Sequence, residues 1–312
     1  MINMISVVIP LYNKAQSIRN TLNSVLSQSF QDFEIVVVDD GSTDDSANVV
    51  REIEDDRIRL ICKENGGVCS ARNRGIKEAK YDYIALLDAD DGWDKDYLAE
   101  QVRLIEDFPQ TAMWGINFAE LYNGKLIREL PTGLPKGFRG VVEGYFDKTL
   151  QNGRVSDLFC SSSVVIRKDV FCHVGYFDER LKYAEDTDVW WRIIACYSVV
   201  FYDRYMAFYH FEAENRALNR TRKFKFYLPC YPEKFKKFRD NETFYLYTQR
   251  WCANRIRIAY FGDDVEDRKY ATIAKDKVDI SVLPKKYILF FKAPYLLAKL
   301  ISDMDYKRRN EK

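Results

Sequence analysis

Four short apolar runs lie between residues 5 and 87, and each gives way abruptly to polar residues: Ile5–Ile9 (ISVVI), Phe33–Val38 (FEIVVV), Ile58–Cys62 and Tyr83–Leu87. Unbroken apolar runs of this length suit strands buried on both faces, and such strands belong to parallel sheets. The first intervening segment sets Ile18, Leu22, Val25 and Leu26 on one helical face, and the second does the same with Ala47, Val50 and Ile53. Val68–Ala79 and Asp94–Phe108 read as two further helices. The order β-α-β-α-β-α-β with short links predicts an α/β fold with a mostly parallel, Rossmann-like sheet flanked by helices. Pro10 is expected to end the first strand, since it has no N–H for a ladder. Ser42 or Thr43 is expected to cap the second helix.

In such sheets ligands bind beyond the carboxyl ends of the strands. Three polar motifs fall there: Pro10-Leu11-Tyr12-Asn13, Asp39-Asp40-Gly41-Ser42 and Asp88-Ala89-Asp90-Asp91. The third follows a greasy strand with a pack of carboxylates, which repel one another unless positive charge sits among them. Residues two apart in extended chain point the same way, so Asp88 and Asp90 face one ligand together. Hard oxygen ligands of this kind suit magnesium or manganese, with positions left for water and phosphate oxygens. The plainer reading is a solvated acidic turn, with Asp94 capping the next helix. Asp39 is placed to accept hydrogen bonds from a base or ribose, and Asp40 to serve the turn. Neither a G-x-G-x-x-G fingerprint nor a P-loop occurs, so phosphate falls to metal and side chains. Gly66 and Gly67 allow close backbone approach to a ligand. Arg72 stands near the start of the following helix, within reach of a nucleotide, and Arg74 reads as a surface cation.

Bulk composition excludes several classes. The 312 residues carry 48 basic against 47 acidic side chains, so a whole-chain nucleic-acid binder is not indicated. The seven cysteines are odd in number and include no C-x-x-C pair, against a disulfide framework or a structural zinc site and in favour of a reducing compartment. The N-terminus reads as lacking a signal peptide, and no uncharged apolar run reaches membrane-spanning length.

After Met113 the pattern changes. Trp114–Phe118 and Lys125–Leu130 flank a hairpin signal at Tyr122-Asn123-Gly124. Phe138–Asn152 gives no clear element, Ser161–Ile166 reads as a strand and Glu185–Ala195 as a helix. From Lys223 basic and aromatic residues mix at helical spacing, which divides the chain into 1–222 and a helical appendage, 223–312.

The motifs VVIPLYN, VVVDDGSTDDS, ENGGVCSARNRGI and LLDADD, followed by SSSVVIRK, VGYFDE and YAEDTDVWWR, resemble glycosyltransferase family 2 in order and spacing over residues 4–212. The resemblance implies a GT-A fold, a nucleotide-diphosphate sugar donor, a divalent metal (Mn2+ or Mg2+) and transfer with inversion. Carried over by motif, Pro10, Tyr12 and Asp39 line the base pocket with Arg72 nearby. Asp88 serves the ribose, Asp90 the metal–diphosphate, and Asp186 is the catalytic base; Asp91 receives no role. A histidine after the base region completes the metal site or contacts the diphosphate in many such enzymes, which points to His210, with Arg216 and Arg220 as phosphate partners; the plainer reading of a lone histidine is a structural hydrogen-bonder. His173 reads as structural. The chemistry agrees independently: inversion by in-line displacement needs one carboxylate to take the acceptor proton and charge stabilisation on the departing diphosphate. Asp186 opens a helix, whose dipole favours the ionised form. The plainer reading is that Glu185, Asp186 and Asp188 cap and solubilise that helix. Of Trp190 and Trp191, one packs the helix and the other is available to stack on a sugar.

Tyr287–Ile301 is apolar and flanked by Lys285, Lys286, Lys307, Arg308 and Arg309, as in a helix lying on an anionic membrane surface. Docking on the catalytic domain or on a second subunit is the alternative, and Pro294 interrupts a long straight helix. The expectation is an inverting glycosyltransferase of cell-surface polysaccharide synthesis. It would use a UDP-sugar donor and a glycan or lipid-linked glycan acceptor, at the inner face of the cell membrane. A non-catalytic sugar-nucleotide or glycan-binding module would be expected to lose these acids. A sugar nucleotidyltransferase would want a glycine- and arginine-rich loop after the first strand, which VIPLYNKAQ lacks.

Overall fold

The structure, a computed structural model, describes residues 4–123, 125–129, 132–147, 158–215 and 223–292. It divides into two compact units, Met1–Thr221 and Arg222–Lys312. Arg216, Arg220 and the tail from 293, including Pro294, Lys299 and Lys307–Arg309, lie outside the described residues, as does Gly124 of the hairpin turn.

The first unit is built on one ten-stranded sheet. Strands β1 (Ile5–Leu11), β2 (Phe33–Asp39), β3 (Ile58–Cys62) and β4 (Tyr83–Leu86) run parallel in the order β3-β2-β1-β4. The sheet continues through β9 (Val164–Arg167), antiparallel to both β4 and β6 (Met113–Tyr122). Next come β10 (Val199–His210), parallel to β6, and β5 (Gly92–Trp93), antiparallel to β10. β7 (Lys125–Glu129) and β8 (Arg139–Val141) pair off this path with β6 and β10. The sheet is thus a parallel core extended by antiparallel strands.

Alternation of side chains decides which helix covers which face. Ile5, Val7, Ile9 and Leu11 of β1 share a buried cluster with Ile18, Leu22 and Val25 of α1 (Ile18–Leu26). The intervening Val8 meets α3 (Val68–Glu78) on the other face. There Gly75 packs so tightly that a Cβ on it would lie 2.3 Å from Val8 Cγ1 and 3.3 Å from Val38 Cγ2. At the amino ends of the strands, buried Glu34 accepts from Ser6 Oγ at 2.7 Å and Lys80 N at 2.6 Å, which ties the turn before β4 to β1 and β2.

Two local expectations are corrected. β1 continues one residue past Pro10, to Leu11. Val8 O accepts from Leu87 N, so Pro10, two residues on, faces the β4 side where pairing has already ended at Val8–Leu86, and its missing N–H breaks no ladder bond. Ser42 and Thr43 do not cap α2 (Ser46–Arg51), which begins after Asp45. They bind the loop after β1 instead.

The second unit contains α7 (Glu242–Phe261), α8 (Val265–Lys275) and α9 (Lys285–Lys292); the first also holds α2, α4 (Tyr97–Asp107), α5 (Val170–Val174) and α6 (Glu185–Cys196). Asn241 and Asp264 cap α7 and α8, accepting from Phe244 N at 3.1 Å and Asp267 N at 2.9 Å. Phe235, Phe244, Cys252 and Ile256 are buried in this unit. Among the described residues no helix is long and apolar enough to cross a membrane.

The packing at Gly75 gives a test with an informative sign. In an exposed helix Gly→Ala is stabilising by about 1 kcal/mol. Here Gly75→Ala is expected to destabilise by about 1–3 kcal/mol in urea unfolding, because Val8 must move.

Candidate functional site

The loops after β1 and β2 are zipped together at the carboxyl edge of the sheet. Asn13 N donates to Ser42 Oγ at 3.0 Å, Thr43 N to Asn13 Oδ1 at 2.8 Å and Lys14 N to Ser46 Oγ at 2.8 Å. Asn13 adopts φ +52°, a left-handed turn that asparagine tolerates better than most residues. Pro10 and Asp39 are buried at this edge, and Asp39 Oδ1 accepts from Ser42 N at 3.1 Å; Tyr12 is half-buried beside them. Asp40 does more than shape a turn. Its carboxylate takes Gly66 N at 3.0 Å, Gly67 N at 2.7 Å and Lys63 Nζ at 2.6 Å, so the Gly66 and Gly67 amides are already committed within the protein.

Helix α3 carries the next layer. Asn73 exchanges hydrogen bonds with the backbone of Phe177, at 2.9 Å each way, and Cys69 Sγ lies 3.4 Å from Leu181 O. Both contacts hold the segment leading to α6. Arg72, 3% exposed, then forks: Nη2 binds Asp88 Oδ1 at 2.7 Å and Nη1 binds Glu185 Oε1 at 3.0 Å. Burial alone would disfavour its charge, but Asp88 and Glu185, with Asp186 adding to the field, hold the guanidinium firmly protonated. One buried cation therefore joins the acidic turn after β4 to the first turn of α6. Asp186 is half-buried in that turn and accepts from Thr187 N at 2.6 Å. Ala184, immediately before α6, is held at φ +57°, a conformation that costs a non-glycine residue about 1–2 kcal/mol.

The acidic turn is more buried than a solvated loop. Asp90 Oδ2 is paired with Lys14 Nζ at 2.6 Å; burial raises the Asp90 carboxyl above its ordinary range, and Lys14 offsets this in part. Asp91 is 3% exposed and accepts from Ser162 Oγ, which in turn accepts from Asp88 N at 3.1 Å. Burial, reinforced by the Asp90 and Asp88 carboxylates, pushes Asp91 well above the usual carboxylate range. Its Oδ1 has no hydrogen-bond partner among the described residues. Asp94 caps nothing directly: it accepts from Asp96 N at 3.0 Å in a turn ahead of α4.

A cleft of about 390 Å3 opens beside this turn, lined by Asp90, Asp91, Trp93, His210, Glu212 and Glu214 among others. His210 ends β10 and faces Glu212, with Nδ1 3.5 Å from Oε1. The structure therefore brings Asp90 and His210 to one cleft and Arg72, Asp88 and Glu185 to one ion-pair cluster. Among the described residues no three acidic, histidine or cysteine side chains are gathered so as to hold a metal by themselves. The donor set still suits a hard divalent cation that takes its remaining positions from water and diphosphate, and manganese accepts an imidazole alongside carboxylate.

Two expectations about α6 are overturned. Asp188 does not solubilise the helix: it is fully buried and bound to Arg192 Nη2 at 2.8 Å, while Arg192 Nη1 holds the carbonyls of Val174 at 2.6 Å and Gly175 at 2.7 Å. Trp190 and Trp191 are 3% and 1% exposed, so neither presents a face to a sugar. Sequence reasoning also missed Lys14 and Ser162. Lys14 stood next to the Tyr12-Asn13 motif and was readable as a charge near the acids; nothing local marks Ser162.

The family model for glycosyl transferase family 2 matches residues 6–174. The chain belongs to glycosyltransferase family 2. It is 34% identical over 191 residues to an uncharacterized glycosyltransferase of Rickettsia conorii, covering 60% of this chain and 29% of that protein. It is 40% identical over 106 residues to the UDP-Glc:alpha-D-GlcNAc-diphosphoundecaprenol beta-1,3-glucosyltransferase WfaP of Escherichia coli, covering 33% of this chain and 41% of the relative. The putative teichuronic acid biosynthesis glycosyltransferase TuaG of Bacillus subtilis is 39% identical over 105 residues, 33% of this chain and 42% of its own. The matched stretch thus spans well under two thirds of each of these relatives. Among solved structures, S. aureus TarS 1-349 in complex with UDP-GlcNAc superposes with a TM-score of 0.60 at 20% identity, over 94% of this chain and 76% of that one. The fold is accordingly GT-A.

Asp91 supplies a pH test. Its folded-state pKa lies above the unfolded value, so the unfolded chain loses its proton first, and the folded state carries a penalty that grows as pH rises from one value to the other. Asp91→Asn keeps an acceptor for Ser162 and removes the charge. The variant is expected to melt higher than the parent at neutral pH, with the gain disappearing below about pH 4. Calorimetry across pH 3–8 checks this.

Proposed function

We propose that this chain transfers a sugar, with inversion, from a nucleotide-diphosphate sugar to a hydroxyl of a glycan or lipid-linked glycan during cell-surface polysaccharide synthesis. The observation that carries the reading is the Arg72 fork. It joins Asp88 to the first turn of α6, which carries Asp186, through a single guanidinium. In-line displacement needs that pairing of a donor-binding edge with one carboxylate on the acceptor side. Residues 1–222 form the catalytic domain in this reading. UDP is the favoured carrier, since WfaP is named for a UDP-glucose donor and a diphosphoundecaprenol acceptor and TarS was solved with UDP-GlcNAc.

Each residue then has a defined task. Pro10, Tyr12 and Asp39 bound the base pocket, and Asp88, held by Arg72, receives the ribose. Asp90 and His210 are the residues that would hold Mn2+ or Mg2+, which when bound would supply positive charge against the leaving diphosphate. Asp186 draws the proton from the acceptor hydroxyl as its oxygen approaches the anomeric carbon. The protein works at the inner face of the membrane, where a lipid-linked acceptor would be met. The basic tail, 223–312, supplies the membrane contact or docks on a second subunit.

A screen of sugar nucleotides with manganese or magnesium tests the donor. Asp186→Asn is expected to retain donor affinity in calorimetry while kcat falls about 10²–10⁴-fold. Asp90→Ala is expected to remove the metal dependence of nucleoside diphosphate binding. Near-normal transfer by Asp186→Asn would assign the base elsewhere, and unchanged metal dependence in Asp90→Ala would overturn the metal site.

A further inference from the structure

Lys14 is a buried cation to which the proposed reaction assigns no role. It is 8% exposed, and among the described residues its ammonium is held by Asp90 Oδ2 at 2.6 Å and the Glu214 carbonyl. Its position is fixed from both sides. Its backbone N–H donates to Ser46 Oγ at 2.8 Å, the left-handed turn at Asn13 precedes it, and the Glu214 carboxylate accepts from Gln16 N and Ser17 N at 3.1 Å each. The long lysine chain has therefore already lost its rotamer freedom, and its charge stands at Asp90 without further ordering.

We propose that Lys14 is a positioning residue: a resident cation that holds Asp90 in place whenever no divalent ion is bound and that a divalent ion must displace from Asp90 in order to bind. The proposal rests on the reading of Asp90 as a cation ligand. The Asp90 side chain is 17% exposed and lines the cleft. A carboxylate this deep cannot stand unpaired between Asp88 and Asp91, so some cation must accompany it whether or not a divalent ion is bound. An ammonium at hydrogen-bond distance and a dication at ligand distance compete for the same oxygen lone pairs. Lys14 therefore weakens cation binding and keeps the acidic turn ordered while no cation is there. The arrangement makes divalent-ion capture depend on the diphosphate oxygens that arrive with the donor, so that the ion binds with the donor rather than ahead of it.

The test measures Mn2+ alone, by paramagnetic resonance and calorimetry, with no sugar nucleotide present. Lys14→Met is expected to bind Mn2+ about tenfold more tightly than the parent chain, because the competing charge is gone. Lys14→Gln, which keeps a donor for the Glu214 carbonyl, should do the same, and Lys14→Arg should stay close to the parent. A purely structural lysine would give the opposite result, a disordered turn and weaker Mn2+ binding. Unchanged or weakened Mn2+ affinity in folded Lys14→Gln, where Asp90→Asn does lower it, would overturn the proposal and leave the metal site standing. If Asp90→Asn leaves Mn2+ binding unaltered, the reading of Asp90 as a ligand fails, and the role of Lys14 fails with it.

Discussion

A guanidinium buried between two carboxylates organises the site. Arg72 reaches Asp88 and Glu185 from α3, and that reach depends on how closely α3 lies on the sheet. Gly75, one turn further along, permits the approach by leaving Val8 and Val38 room that any side chain would occupy. Asn73, next to Arg72, clamps the backbone at Phe177, so the same helix that carries the cation also fixes the segment leading to its second partner. Without the cation, two acids from distant parts of the chain would repel one another across the ligand edge. With it, the edge after β4 and the first turn of α6 become parts of one rigid cluster.

The second charged cluster is held differently. Asp90 and Asp91 are desolvated next to Asp88, an arrangement that opposes folding unless the turn is tied down. Ser162 ties Asp91 to the Asp88 backbone, Thr21 Oγ1 donates to the Asp91 carbonyl at 2.7 Å, and Lys14 answers Asp90. Such a site stores unfavourable electrostatics that a bound dication would relieve. That is a physical reason for a transferase of this family to keep acids where stability alone would not. The zipped loops after β1 and β2 add to this hold, since the Lys14 backbone N–H is anchored on Ser46 Oγ beside the Asn13–Thr43 contact.

The sequence by itself determined the parallel half of the sheet, because continuous apolar runs of strand length and helical spacing between them are local properties that survive any tertiary context. β3 and the ends of β2 and α3 fall within a residue of where periodicity put them. It also determined which ends of the strands carry polar motifs, and the ordered set of those motifs carried the family. Only the tertiary structure decided what the charged residues do. That Arg72 spans Asp88 and Glu185, that Asp40 consumes the glycine amides, that Asp188 and both tryptophans are buried, and that Lys14 sits on Asp90 all depend on side chains brought together from positions far apart in the chain. Charge and motif are visible one residue at a time, whereas desolvation and pairing are properties of a neighbourhood, and the neighbourhood exists only once the sheet has closed around it.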